Sequence, residues 1–431
     1  VTDDHPQPTY AQNLAFLTLL IIIFFERSTF YGMVSIIAIH LKNTHHPNPS
    51  TATGIISASV YGLAFLGGVL GDRVSYRLSA LVGSIFALAA YTCLLLGTAF
   101  WIWVPLLGLG IGLFKPVIPV MIGKSVEGFP EELSKRQLRF YTLVNVGGFT
   151  GPLIVGFLYD PSNPVLALGF IVVCSLLTVL VITAMYRNLG AVNFRNPIER
   201  QIGGRLDLNI VDNQKKQTTS NIYKLLLFCS LSICFWASYH SFYGPVALWF
   251  DVSVNRNIAG WKFPTAWIQN INPAIVVFVG VFIPSLFSKW TLSKRIITSL
   301  ILMFVSFTFL AGLANYYTSK VPLILSAIAI FIASVAELLI SPLGLTTVVS
   351  LAPPKHVAVF MSIWYLASAV GGYLSGTLGD TPSTREFLAV AVVSLIAGGV
   401  AYAMRTYINP SKKPTHPLDQ VPSPVLPAQP E

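Results

Sequence analysis

Twelve apolar runs of roughly twenty residues follow one another along this 431-residue chain, and they decide what it can fold into. They cover Ala11–Leu41, Ala52–Gly71, Leu78–Thr98, Trp101–Gly123, Leu138–Tyr159, Val165–Tyr186, Ile222–Phe250, Pro264–Phe287, Ile296–Asn315, Val321–Val349, Val357–Leu378 and Phe387–Met404. A hydrocarbon core of about 30 Å takes about twenty residues of helix. Backbone groups in lipid must be satisfied within the segment, so a span of this length is helical. Only 10% of the residues are charged, against roughly 25% in a soluble domain. The chain is therefore read as an all-α, multi-pass membrane protein with twelve transmembrane helices. The first run is read as a span rather than a cleaved leader, because it is too long and follows Asp3 and Asp4 instead of a basic stretch.

The net charge of +10 is a topology signal, with no nucleic acid implied. With the N-terminus inside, 20 of the 27 Lys and Arg fall in cytoplasmic segments and 5 in outer ones. Arg27 and Lys115 lie within the membrane. That bias places both termini in the cytoplasm, in a plasma or inner membrane. Cys93, Cys174, Cys229 and Cys234 sit in apolar runs, so neither a disulfide framework nor a metal site is expected.

Residues 1–187 hold six runs, a polar stretch at 188–221 reads as a cytoplasmic linker, and 222–407 hold six more. The tail, 408–431, is Pro-rich and expected to be disordered. Two six-helix bundles joined this way are the layout of the major facilitator superfamily fold, with a substrate site near the midplane between the halves. The halves echo each other. The fourth run has Lys115 followed by Pro116 and Pro119; the tenth has Glu337 followed by Pro342. Interrupted helices at matching positions point to a transporter site.

Four charges stand inside the runs: Glu26, Arg27, Lys115 and Glu337. Each costs about 2.5–3.5 kcal/mol at mid-membrane, so each should face the bundle interior and have a use. Glu26 and Arg27 are adjacent and point about 100° apart. Ile23, Glu26, Arg27, Phe30, Tyr31 and Val34 share a broad face that should line the cavity. Lys115 has no acid within a turn, so its partner must come from another span, where Glu26 and Glu337 are available at depth; a bridge to Glu337 would tie the halves together. A permanent structural bridge is the plainer reading, and a breakable one the functional reading. His240 is the histidine far from a helix end, with Trp236 one turn away; it is either a proton carrier or a satisfied polar group. At the end of the second run, GGVLGDRVSYR fits a G-x-x-x-D-R gate motif. Gly68 would allow close packing there, and Asp72 and Arg73 would pair as a latch.

These strings together resemble the proton-dependent oligopeptide transporter (POT) family. ERSTFYGM, GLFKPVIPVMIG, FYTLVNVGGFTGPL, PTAWIQNINP, AELLISPLGLTTVVSLAP and MSIWYLASAVGGYLSG are similar to its first-, fourth-, fifth-, eighth-, tenth- and eleventh-helix signatures, in order. The resemblance implies a symporter importing di- and tripeptides by alternating access, with protons as coupling ion and no other cofactor. It implies Arg27 and Lys115 for the peptide carboxylate, and Asn145, Asn272 and Glu337 for the amine. Tyr31, Tyr61, Trp236, Trp364 and Ser368 would line the pocket. Glu26, Glu337 and His240 would serve proton coupling. The expected partners are short peptides and the lipid bilayer, and the chain is expected to be a monomer and no enzyme. The departures are Ile23 for the first Glu of E-x-x-E-R, and Val34 and His240 for an Arg–Glu pair between the halves. Gly372 stands where the eleventh helix has Asn, and no extra helices fit the linker. Two alternatives stay open: the same fold carrying nitrate or a small organic anion, or a nontransporting nutrient sensor.

Overall fold

The computed structural model describes residues 8–126, 129–193, 211–279, 287, 290–351 and 357–409. Among these, ten helices are long and apolar enough to cross a membrane. The eighth and eleventh runs contribute the helices Ile271–Val279 and Val357–Gly376. The twelve are called here the first to twelfth spans.

Helix ends follow local chemistry. The first span, Tyr10–Asn43, opens on a capping box in which Thr9 accepts from Gln12 N–H and the Gln12 side chain accepts from Thr9 N–H. The twelfth, Thr384–Ala403, opens on the same device from Ser383 and Glu386. The second span is divided at Leu63 into Pro49–Gly62 and Ala64–Arg73. The fourth is divided into Phe100–Phe114 and Val117–Lys124, with Lys115 and Pro116 at the joint. Proline has no N–H to continue the ladder, so the helix gives way where Lys115 must turn inward. The matching break expected in the tenth span does not form: Leu323–Leu351 runs helical through Glu337 and position 342. A helix in a bundle tolerates proline when neighbours re-satisfy the freed backbone group. The seventh span also departs from expectation. Its helix starts at Val211, inside the polar stretch read as linker, and ends at Ser241, followed by a second helix, Pro245–Ser253.

Buried apolar side chains form separate cores. One runs from Leu225 to Ile408 within the second six spans. Two others belong to the first six, built around Met33 and Leu107 and around Leu19 and Met121. The halves meet where small residues permit it. Gly54 of the second span lies against the backbone of Gly372 and Tyr373 of the eleventh, and Gly376 against Ser50. On the face away from the termini, polar contacts add to this. Ser50 N–H donates to Asp380 at 2.7 Å and Ser50 Oγ to the Gly376 carbonyl at 3.0 Å. Lys42 bridges to Asp251 at 3.1 Å, and Trp267 Nε1 donates to the Leu153 carbonyl at 2.8 Å. The halves are thus closed against each other on that face. All four cysteines are free.

Two expectations need restating. Close packing at the end of the second span is made by Gly67 and Gly71, where a side chain would strike the fourth span, while Gly68 has open space around it. The helix rotates that glycine outward, and Arg73 is exposed. The Asp72 side chain and its pairing lie outside what is described, as does the tail from 410.

Candidate functional site

The four intramembrane charges converge between the halves, with partners that differ from those expected. Arg27 and Glu26 turn toward each other in spite of pointing apart along the helix. Arg27 Nε donates to Glu26 Oε2 at 2.5 Å and Nη2 to Oε1 at 2.6 Å. Both are buried, at 4% and 6% exposure. Two parallel charge-assisted bonds are the geometry that suits guanidinium and carboxylate. The Arg27 guanidinium also lies 5.3 Å from the Phe30 ring centre and 5.7 Å from that of Tyr31. Close approach of the fifth span makes this possible. A side chain at Gly147 would strike Arg27 Cβ and the Phe24 carbonyl, and one at Gly151 would strike Ser28. Of the face expected to line the cavity, Ile23 and Phe30 instead pack into the cores of the first half. Tyr31 and Val34 are half-buried.

Lys115 does not reach Glu337. The expected bridge between the halves is absent, and among the described residues no carboxylate lies within ion-pair distance of Lys115. Its ammonium instead stands 3.7 Å from the centre of the Tyr61 ring and 5.7 Å from that of Tyr365. The ring faces attract the cation without neutralising it. Lys115 is therefore held by ring faces, with no carboxylate paired to it among the described residues.

Tyr61 leads into an aromatic wall. Its ring centre lies 5.2 Å from that of His240, which stacks on Trp236 at 5.6 Å. His240 Nε2 and Ser368 Oγ are hydrogen-bonded at 3.1 Å, joining the seventh and eleventh spans. Trp364 is set back from this wall, packed between Phe228, Trp236 and Gly344, so it is Tyr365 that faces Lys115.

Glu337, half-buried in the tenth span, has Asn272 of the eighth and Ser341 beside it. Asn272 Nδ2 is buried and closes no hydrogen bond within the protein. Tyr31, Tyr141, Tyr239 and Tyr243, from both halves, all stand within electrostatic reach of Glu337. Asn145 spends an amide hydrogen on the Tyr141 carbonyl at 2.8 Å, which aims it along its own helix. Tyr31 stands within electrostatic reach of Arg27, Glu26 and Glu337 together.

Reading the sequence missed Tyr141, Tyr239, Tyr243 and Tyr365. The signal was present for two of them: Tyr239 and Tyr243 are one turn apart beside His240, and their hydroxyls pair at 3.2 Å. Tyr365 neighbours Trp364, and only the rotation of the eleventh span decides which of the two faces the cleft.

A site between two six-helix halves, built from intramembrane charges, is the arrangement of a secondary transporter. The Major Facilitator Superfamily profile matches residues 19–372, and the chain belongs to that superfamily. Within it, the similarity is to peptide transporters. The chain is 26% identical to the uncharacterized transporter YclF of Bacillus subtilis, across 92% of this chain and 94% of that one. It is 22% identical to the peptide transporter YePEPT of Yersinia enterocolitica, across 82% and 85%. Its fold superposes on a crystal structure of the peptide transporter POT in complex with sulfate, with TM-score 0.80 and 21% identity, across 92% and 95%. Both the resemblance to peptide transporters and the all-helical fold read from the sequence are borne out.

Proposed function

We propose that this chain is a proton-coupled symporter that imports di- and tripeptides by alternating access. One observation carries the reading: Lys115 is a positive charge without a carboxylate, and Glu337 is an acid with no cation within ion-pair distance among the described residues. Tyr31 is within electrostatic reach of both Arg27 and Glu337. A zwitterion with its charges a few bonds apart complements that pattern, and a short peptide is one. Arg27 and Lys115 hold the carboxylate; Glu337, Asn272 and Asn145 hold the amine. Tyr61, Trp236 and Ser368 form the wall, with Trp364 supporting it. Reading the ends leaves the side chains free to vary.

Coupling works through competition for Arg27. While Glu26 is ionised it occupies the guanidinium with two hydrogen bonds. A proton on Glu26 removes that charge and frees Arg27 for the substrate. Glu337 and His240 are the further proton sites. The face closed by Lys42–Asp251 is the outer one, both termini are cytoplasmic, and the cycle opens that seam to admit peptide. The protein works as a monomer, binds no cofactor and carries out no covalent chemistry.

A relative named as a peptide transporter supports this reading. The bare Lys115 ammonium favours one second reading, a small anion such as nitrate as cargo, for which Glu337 would be superfluous. The test is uptake of labelled dialanine into proteoliposomes with an inward proton gradient. Accumulation that collapses with the gradient and in Lys115→Ala supports peptide symport. Uptake indifferent to both refutes it, and a thermal-shift response to nitrate but not to dialanine selects the anion.

A further inference from the structure

Behind the Glu26–Arg27 pair, inside the first half, lies a small chamber walled by the first, third, fourth and sixth spans. Its polar lining is Glu26, Thr29, Ser84, Tyr91, Ser175 and Thr178. The space open to the centre of a water molecule is about 10 Å³, room for one water. Tyr91 is 3% exposed, and its hydroxyl has no hydrogen-bond partner in the protein. A buried hydroxyl left this way costs free energy comparable to a lost hydrogen bond. The hydroxyls of Thr29, Ser84 and Thr178 have used their hydrogens. Thr29 donates to the Phe25 carbonyl at 2.8 Å, Ser84 to Leu81 at 2.8 Å and Thr178 to Cys174 at 3.0 Å. Their oxygens remain as acceptors. The unpartnered Tyr91 donor, one carboxylate and several hydroxyl oxygens surround a space the size of one water.

We propose that this chamber holds a single water that accepts from Tyr91 and donates to the Glu26 carboxylate, which makes Tyr91 a positioning residue for the proton that Glu26 takes up. The proposal deepens the proton-coupled reading and rests on it. Such a water makes about three hydrogen bonds: from Tyr91, to Glu26 and to one hydroxyl oxygen, the usual number for a buried water. When Glu26 gains a proton from the bulk, its new O–H donates to the water. The water then turns its hydrogens toward the hydroxyl oxygens. No other bond changes, and Arg27 keeps its charge while losing its ionic partner. The proton is thus kept on the closed side of the first half, away from the cleft where a substrate carboxylate would contest it.

The groups facing Glu26 are few. Its own span presents Arg27 and Tyr31, the third Tyr91 and the fourth Lys115. The sixth presents the hydroxyls of Ser175 and Thr178. Arg27 and Lys115 bear on Glu26 from the cleft, and Tyr91 closes the opposite side.

The test is infrared difference spectroscopy of the full chain in lipid vesicles, titrated between about pH 4 and 9. The carboxyl band missing in Glu26→Gln identifies Glu26. Donors to an ionised carboxylate favour that form, so Tyr91→Phe should raise the Glu26 midpoint by about one pH unit and move its carbonyl stretch to higher frequency. Ser175→Val, which fills the chamber and leaves the Tyr91 hydroxyl in place, should shift the midpoint the same way and guards against misfolding of the first variant. A midpoint unchanged in either folded variant, or no titrating Glu26 band in the wild type, overturns the proposal. Dialanine uptake by the same vesicles reads the other question: if the band shifts as expected and no gradient-driven uptake occurs, the transport reading falls and the chamber stands.

Discussion

Glu26→Gln is the perturbation whose outcome the geometry specifies most fully. In the wild type the carboxylate and guanidinium satisfy each other through bonds of 2.5 and 2.6 Å at about 5% exposure. Glutamine keeps the shape and removes the charge. It offers one acceptor and an amide that points donors at a cation. Removing one partner of a buried ion pair costs about 3–5 kcal/mol, because the other charge stays buried without compensation. For a protein of this size that corresponds to a drop in melting temperature of roughly 3–6 °C. A ligand carboxylate can take the vacated place. A ligand at about 100 times its Kd stabilises by about 2.7 kcal/mol, and tighter binding at the same concentration stabilises further. Dialanine should therefore stabilise Glu26→Gln more than it stabilises the wild type, while alaninamide, which lacks the carboxylate, should not discriminate. The double variant Glu26→Gln with Arg27→Met removes both charges and should melt near the wild type, with a weaker response to dialanine than Glu26→Gln alone. The assay is thermal unfolding in detergent, followed by tryptophan fluorescence. An unchanged melting temperature in Glu26→Gln, or equal stabilisation of both proteins by dialanine, would refute the reasoning.

Further perturbations follow from the same geometry. Lys115→Met should weaken binding of carboxylate-bearing ligands roughly 10- to 150-fold, the worth of one charged hydrogen bond, with alaninamide unaffected; equal losses for both ligands, by calorimetric titration, would contradict the assignment. Lys42→Met should shift the halves only about twofold toward opening on that face, because the pair is half-exposed and Asp251 keeps Arg256 and Thr265. Asp251→Asn should shift them further, and spin-label distances across the seam would show the order reversed if the reasoning is wrong. Gly151→Leu should give no folded protein in membranes, since any side chain there meets the Ser28 backbone; normal expression and gel filtration would count against that packing. His240→Gln preserves a bond to Ser368 and removes the titrating ring, so it should lower gradient-driven accumulation and spare counterflow. Equal loss of both would make His240 structural.

The absent Arg–Glu pair at Val34 and His240 has a structural counterpart. Lys42 lies two helical turns beyond Val34 on the first span, and it bridges to Asp251 beyond the end of the long seventh-span helix. Among the described residues this is the ion pair that joins the halves, and His240 bonds Ser368 within the second half.

The sequence determined how many times the chain crosses a membrane and which charges matter. Both follow from solvation: lipid accepts only apolar helices of sufficient length, and a charge within one is too costly to be incidental. The joint at Lys115 and Pro116 was legible for the same reason, since proline cannot continue the ladder. Partners were decided only by the tertiary structure. Nothing along the chain says that Glu26 and Arg27 close on each other, that Lys115 meets Tyr61 instead of Glu337, or that Gly67 rather than Gly68 faces the fourth span. Those outcomes depend on helix rotation and on how closely Gly147 and Gly151 let two spans approach, to within a fraction of a helical turn. Hydropathy sets the element, and packing in three dimensions chooses what each polar group touches.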